Sequence, residues 1–365
     1  MLIVVAFIFS FLAGIFYQKR SLNLQLKTGK INWSQIRDES YKVISWYLLF
    51  RIGLTGGAEI NLSGGGTIFK MGTIAIALSI LMFIMALGLI YSNTNLDRET
   101  KFSIVGHFGS VSIGTFMSAQ ALLNGIGVGY SSEANAWVAI MELPAVLLVV
   151  LFISRGISAF GQILRKNKRL LMLPLALTFG VWQGHAFLEL GLAQFLFENI
   201  FNYILAYFLF EMGRHAYESL GNIGKDFERV KLLMVGIGLP LLGGTLGTAL
   251  SRLCGLSLGD SMILGTLAAS GSYVAAPSII EPTLVVVYGH NLEKAKRVTA
   301  TSLTMVLGIT LPFNILVGIQ LYLLEARIFE NQVLGLAGIA TVIIVVLYNY
   351  PNGLLQISFD YLDPF

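Results

Sequence analysis

Eleven apolar runs, most of them near 20 residues, are strung through this chain with short polar stretches between them. A helix that crosses a bilayer needs roughly 20 mostly apolar residues. The candidate spans are Met1–Tyr17, Tyr41–Ile60, Ile68–Tyr91, Phe102–Leu123, Ala136–Ser154, Leu170–Ala186, Phe195–Met212, Leu232–Leu250, Ser261–Ile280, Ala300–Leu324 and Val333–Leu347. Of 365 residues, 55% are hydrophobic and 12% charged, with mean hydropathy +0.75. A soluble domain carries about 25% charged residues. The fold class is therefore an all-α polytopic membrane protein, and the runs leave no room for a soluble domain.

The charged residues orient the spans. QKRSLNLQLKTGK after the first run, Arg98 with Lys101, RKNKR at 165–169, Lys225 with Arg229 and Lys231, and KAKR at 294–297 are basic loops. They alternate with stretches poor in Lys and Arg, such as GYSSEANA and the Phe197–Asn199 region. Basic loops face the cytoplasm, which puts the N-terminus outside and expects a multi-pass protein of the inner (plasma) membrane. The C-terminus is inside if Val333–Leu347 spans. The net charge of +4 and pI near 9.0 do not indicate a nucleic-acid partner, because the basic residues sit between spans. MLIVVAFIFSFLAGIFY has its basic residues after it, at Lys19 and Arg20, unlike a cleaved signal peptide. Cys254 is the single cysteine and fits no metal pattern.

Landmarks recur between the two halves. GSVSIGT (109–115) in the fourth span answers ASGSYVAAP (269–277) in the ninth, with Ser112 and Ser272 160 residues apart. MELPA (141–145) answers TLPFN (310–314), with Pro144 and Pro312 168 apart. GLTGG (53–57) answers EMG (211–213), with Gly56 and Gly213 157 apart. A unit of five spans repeated once re-enters the membrane inverted, the plan of many secondary transporters. The expected organisation is a first five-helix repeat at 1–160, a second inverted repeat at 161–327, and an extra apolar segment and tail at 328–365.

Gly-Ser-rich runs weaken helices, and backbone that leaves the helix inside a bilayer must be buried in protein or line a wet cavity. The runs at 109–115 and 269–277 are expected to break their spans into half-helices. Half-helix N-termini suit an anion, and C-terminal ends and unwound carbonyls suit a cation. Ser110, Ser112, Thr115, Ser270 and Ser272 add hydroxyl donors, while neither span holds Lys or Arg. Small residues also permit close helix packing, the reading given to Gly243 and Gly247.

Ionisable residues inside spans are functional candidates. Glu142 precedes Pro144, and the equivalent place in the tenth span carries Thr310 before Pro312, with Asn314 nearby. Proline frees a backbone carbonyl, so Glu142, Thr310 and Asn314 are the candidate sodium or proton ligands. Arg51 is expected to snorkel, Glu59 to pair with it or snorkel, and Glu211 to be either functional or only interfacial. His107 reads as a hydrogen-bonded structural histidine, and His185, His215 and His290 as loop-proximal. No zinc spacing or nucleophile elbow occurs, and NGIGVGY lacks a Walker lysine. Neither an enzyme, a transition-metal site nor an organic cofactor is expected.

RIGLTGG, HFGSVSIGTF, MELPA, ASGSYVAAPS and LGITLPFNI together resemble the sodium-dependent bicarbonate transporter family of bacteria and cyanobacteria, over roughly residues 40–324. The resemblance implies ten helices in two inverted repeats, a homotrimer, and bicarbonate uptake with sodium as the coupling ion. In cyanobacterial members it also implies a PII-like cytoplasmic regulator. Carried over residue by residue, it implies that Gly109, Ser110, Ser112, Gly114, Thr115, Ser270, Gly271 and Ser272 contact bicarbonate and sodium, with Tyr273 completing the candidate substrate-binding set. Cyanobacterial members resemble ASSSDISGP here and carry Asp where this chain has Tyr273; other bacterial members look like ASxSY. The run NQVLGLAGIATVIIVVLY lies beyond the ten-helix plan. The expected function is sodium-coupled uptake of bicarbonate or a similar small monoanion by alternating access. The alternatives are a non-transporting sensor on the same fold and a carrier of another small carboxylate.

Overall fold

The computed structural model describes residues 2–23, 33–62, 65–154, 161, 169–222, 227–289 and 291–362. The larger part of QKRSLNLQLKTGK, residues 165–168 of RKNKR, Lys225, His290 and the domain boundary drawn at residue 160 lie outside the described residues. Among the described residues the chain is helical and contains no strand. Its elements are α1 Leu2–Asn23, α2 Trp33–Leu62, α3 Gly65–Asn93, α4 Arg98–Phe108, α5 Ile113–Gly125, α6 Ala134–Met141, α7 Pro144–Ser154 and α8 Arg169–Leu188. They continue with α9 Gly191–Gln194, which runs into a π turn at Phe195–Asn199, then α10 Phe201–Asn222, α11 Phe227–Leu253, α12 Leu258–Ala268 and α13 Ala275–Val287. The last two are α14 Leu292–Ile328, with π stretches at Thr304–Thr310 and Asn314–Gly318, and α15 Gln332–Leu362.

Five helical stretches among the described residues are long and apolar enough to cross a membrane: Gly72–Asn93, Ala134–Ser154, Val230–Leu253, Leu292–Ile328 and Gln332–Asn349. The fourth and ninth candidate spans are each divided into two short helices, α4 with α5 and α12 with α13. α4 and α12 have 11 residues apiece, and α5 and α13 have 13 apiece. Local chemistry sets these limits. Asp97 caps α4 by accepting from the Thr100 N–H at 3.0 Å, and Ser257 caps α12 by accepting from the Asp260 N–H at 3.1 Å. Gly127 and Gly289, at φ 69° and 59°, end α5 and α13 in a conformation that side chains resist.

The short helices sit among long ones. α1 packs along α10, and α2 along α8. α4 rests on α3, α7 and the first turns of α14, whereas α12 rests on α11 and the last turns of α14. α15 lies on α3 and α11, where the Ser92 hydroxyl donates to the Asn349 carbonyl. Helices in lipid gain little from burying apolar surface against each other, so close approach through small residues matters more. A Cβ at Gly14 would lie 1.9 Å from the Phe210 carbonyl oxygen of α10. One at Gly57 would lie 2.2 Å from Leu177 O of α8, and one at Gly180 2.3 Å from Leu54 O of α2.

Several loop expectations are corrected. KAKR is not a loop: Asn291 accepts from the Lys294 N–H at 3.0 Å and starts α14 well before its apolar run. Arg98 and Lys101 lie in α4, where the Lys101 ammonium packs 4.4 Å from the Tyr91 ring centre and Arg98 donates to Phe152 O at 3.0 Å. Phe197–Asn199 is a π turn rather than a loop. His215 falls within α10, whereas His185 lies in the last turn of α8, close to the loop as expected. His185 apart, each was misjudged because a polar residue near an apolar run was taken to end the helix, whereas a cap or a ring accommodates it.

Gly14→Val or Gly180→Val is expected to lower stability by about 1–3 kcal/mol, since the obstructing atoms are backbone. Gly238→Ala, whose Cβ would meet nothing within 4 Å, leaves stability unchanged or slightly raised. Thermal unfolding of the purified variants in detergent, followed by intrinsic fluorescence, makes the comparison.

Candidate functional site

The two interruptions, residues 109–112 and 269–274, are brought into contact. Ser112 has an extended backbone and caps α5, its Oγ accepting from the Thr115 N–H at 3.1 Å and the Thr115 hydroxyl at 2.8 Å. Ser272, two residues before Val274 at the start of α13, accepts from the Ala276 N–H at 3.1 Å. Each interruption then supplies the other's missing bonds. The Ser112 N–H donates to Ser270 Oγ at 2.9 Å, and the Ser272 N–H donates to the His107 carbonyl at 2.8 Å. The Gly114 N–H, in the first turn of α5, donates to Tyr273 Oη at 2.9 Å.

Glu142 stands in the two-residue gap between α6 and α7 and is buried. Its carboxylate joins both interruptions. Oε2 accepts from Ser110 Oγ at 2.9 Å and the Val111 N–H at 3.1 Å; Oε1 accepts from Ser272 Oγ at 3.0 Å. The backbone N–H of Ala275, the first residue of α13, also hydrogen-bonds to it. Ser110 Oγ is equally 2.9 Å from the Glu142 carbonyl, so its single proton serves one acceptor at a time.

Three glycines make the crossing possible. A Cβ at Gly114 would sit 2.2 Å from Tyr273 Oη, one at Gly109 2.4 Å from the Ala145 Cβ, and one at Gly271 2.9 Å from a Val306 methyl and 3.3 Å from His107 O. Tyr273 is buried and stacks on Phe208 of α10 at 5.7 Å between ring centres.

Gly109, Ser110, Ser112, Gly114, Thr115, Ser270, Gly271, Ser272, Tyr273 and Glu142 thus form one buried cluster. Thr310 and Asn314 sit apart from the carboxylate. Pro240 has no N–H for the carbonyl of Gly236 one turn back, and the Thr310 hydroxyl donates to that carbonyl at 2.7 Å. Asn314 donates to Ala269 O at 2.8 Å, where the second interruption begins, and its Oδ1 lies 3.1 Å from Tyr322 Oη. Arg51 does not snorkel. Its Nε donates to Phe197 O at 2.8 Å, and its guanidinium lies 3.5 Å over the Phe201 ring. The Glu59 side chain hydrogen-bonds to Ser132. Glu211 is buried in a pair with Arg214 at 2.9 Å. The His107 ring bonds Ser103 O at 2.7 Å through Nδ1. Among the described residues no group of three His, Cys, Asp or Glu is placed to hold a metal ion.

Sequence reading missed several members. Ser79 of α3 donates to Gly109 O at 2.8 Å, and Tyr322 lies 3.0 Å from Pro240 O. The only signal for either was a polar atom in an apolar run. The N–H groups of Val111 and Ala275 leave no mark in side-chain identity.

A family model described as the Na+-dependent bicarbonate transporter superfamily matches residues 33–327. No curated protein matches the chain significantly.

Gly114→Ala is expected to destabilise the protein, because its Cβ collides with a phenol oxygen held by stacking. Tyr273→Phe removes that oxygen and leaves the next ring atom at 3.5 Å. The double variant should therefore recover most of the loss, a coupling within about 0.5–3 kcal/mol. A double-mutant cycle on thermal unfolding reads it; additive losses contradict the contact.

Proposed function

Because the chain belongs to the Na+-dependent bicarbonate transporter superfamily, we propose that it is a secondary transporter carrying bicarbonate, or a similar small monoanion, together with sodium by alternating access. The observation that carries this reading is the contact of two unwound segments inside an apolar helical protein. There, hydroxyls and the N–H groups that open α5 and α13 converge without any Lys or Arg. Such half-helix starts favour an anion, and unwound carbonyls favour a small cation.

The inverted repeat belongs to the same proposal, and several spacings support it. α4 and α12 begin 160 residues apart, α5 and α13 begin and end 162 apart, and the helix-ending glycines Gly127 and Gly289 are 162 apart. In an inverted repeat the first and second helices of one half correspond to those of the other. The α1–α10 pairing then maps onto α8–α2, and both pairings occur. α4 on α7 likewise maps onto α12 on the end of α14. On this reading the unit containing α4, α5, α12 and α13 moves against the remaining helices, exposing the crossing to each side in turn.

Anion import opposes an inside-negative potential by about 2.3 kcal/mol per 100 mV. One sodium ion per monoanion cancels that electrical work, and two reverse it. Labelled bicarbonate should accumulate in proteoliposomes under an inward sodium gradient and not with potassium substituted. A Ser112→Leu, Ser272→Leu double variant should abolish it, since both hydroxyls accept from N–H groups in the first turns of the half-helices at the crossing. Uptake indifferent to sodium removes the coupling. Anion binding without flux favours a sensor on the same fold.

A further inference from the structure

Resting on that reading, we propose that the Glu142 carboxylate is an internal stand-in for the transported anion, seated where the substrate must sit, and that this seat selects planar carboxylate-type monoanions. Its surroundings are those of a bound oxyanion. The carboxylate is met by two hydroxyls and two backbone N–H groups, drawn from both interruptions. Among the described residues its ion-pair partners would have to be Lys, Arg or His, and the pairs that occur lie elsewhere. Ser110 and Val111 hold one oxygen while Ser272 holds the other. Bicarbonate and formate present the same pair of coplanar oxygens on one carbon. A halide is a single sphere and cannot meet donors arranged around two oxygens.

The carboxylate is on an arm that can leave. Glu142 belongs to neither α6 nor α7, and Pro144 behind it interrupts the backbone ladder. Its two methylenes supply the side-chain torsions through which the head group would swing out. Entry of the anion is then an exchange, one carboxylate-type group for another, and the donors are never left bare. The displaced carboxylate loses all four donors in a setting that penalises an unpaired charge. It becomes the ligand that a sodium ion satisfies. Anion entry thus creates the cation site, which ties the two ions together through one side chain. Because the stand-in is tethered, it lowers the apparent affinity for free anion by the fraction of time it holds the seat.

The test is isothermal titration of the full-length protein in nanodiscs with formate and with chloride, with and without sodium. Removing the arm in Glu142→Ala should tighten formate about tenfold or more, leave chloride untightened, and make formate binding indifferent to sodium. The wild type should bind formate better with sodium present. Glu142→Gln guards against misfolding of the alanine variant. Its amide turns N–H groups toward donors, so it should tighten formate in the same direction by less. Unchanged formate affinity in both variants, or equal tightening of chloride, overturns the proposal. If the wild type shows no bicarbonate flux while Glu142→Ala binds formate more tightly, the transport reading falls and the seat stands. If flux occurs and formate affinity does not change, the seat falls alone.

Discussion

Unwound backbone in the interior of a bilayer has no water to turn to, and each unpaired group there costs several kcal/mol. In this protein the two interruptions meet that cost for each other. Ser270 accepts from the Ser112 N–H, His107 O accepts from the Ser272 N–H, Tyr273 Oη accepts from the Gly114 N–H, and the Glu142 carboxylate accepts from Val111 and Ala275. The freed carbonyls need donors from farther away: Ser79 of α3 for Gly109, Asn314 of α14 for Ala269. Neither interruption is tenable by itself. The packing of α3 and α14 around the crossing serves that requirement, because those helices deliver the side chains the crossing lacks.

Much of this was legible in the sequence because it depends on local chemistry. A serine before an apolar turn caps a helix, a run of Gly and Ser weakens one, and both signals occur twice at nearly one spacing. Those signals mark the two interruptions but not the side chain that joins them: Glu142 was grouped with Thr310 and Asn314, whereas its carboxylate lies on Ser110, Val111 and Ser272. What was not legible depends on which helices become neighbours. The rule that proline frees a carbonyl is sound, yet the carbonyl that Thr310 serves is Gly236 O, freed by Pro240 on α11 rather than by Pro312 on its own helix. Arg51 was expected to reach for the surface, whereas the aromatic face of Phe201 and the Phe197 carbonyl at the π turn give it a nearer partner. Glu211 finds Arg214 three residues on, the helical spacing at which side chains meet. Of these three, the Glu211–Arg214 pair was open to sequence, since both lie on one helix.

The identity of the residue at 273 shows how a motif difference becomes geometry. An aspartate at this place, as the cyanobacterial pattern carries, offers a charge and a short reach. Tyr273 offers a neutral oxygen at the end of a long, flat ring. The ring needs a wall and a gap: Phe208 provides the wall, and the missing Cβ of Gly114 provides the gap. The phenol oxygen then accepts from an N–H that opens α5. One carboxylate fewer at the crossing leaves Glu142 as the acidic side chain that joins the two interruptions.

That arrangement bears on the cation coupling proposed for this site. An anion pocket built around arginine keeps its counter-charge permanently and needs no second ion to fill. Here the crossing contains the Glu142 carboxyl, met by hydroxyl and backbone N–H donors. A second anion brought in beside Glu142 would place two like charges in a low-dielectric interior, where their repulsion is far stronger than in water. The repulsion is relieved if one of them receives a cation. A protein that relied on dipoles alone to hold one anion would bind it without coupling. Adding a carboxylate to the same dipoles would make occupancy by the anion alone unfavourable and occupancy by both ions favourable, the difference that the proposed symport requires.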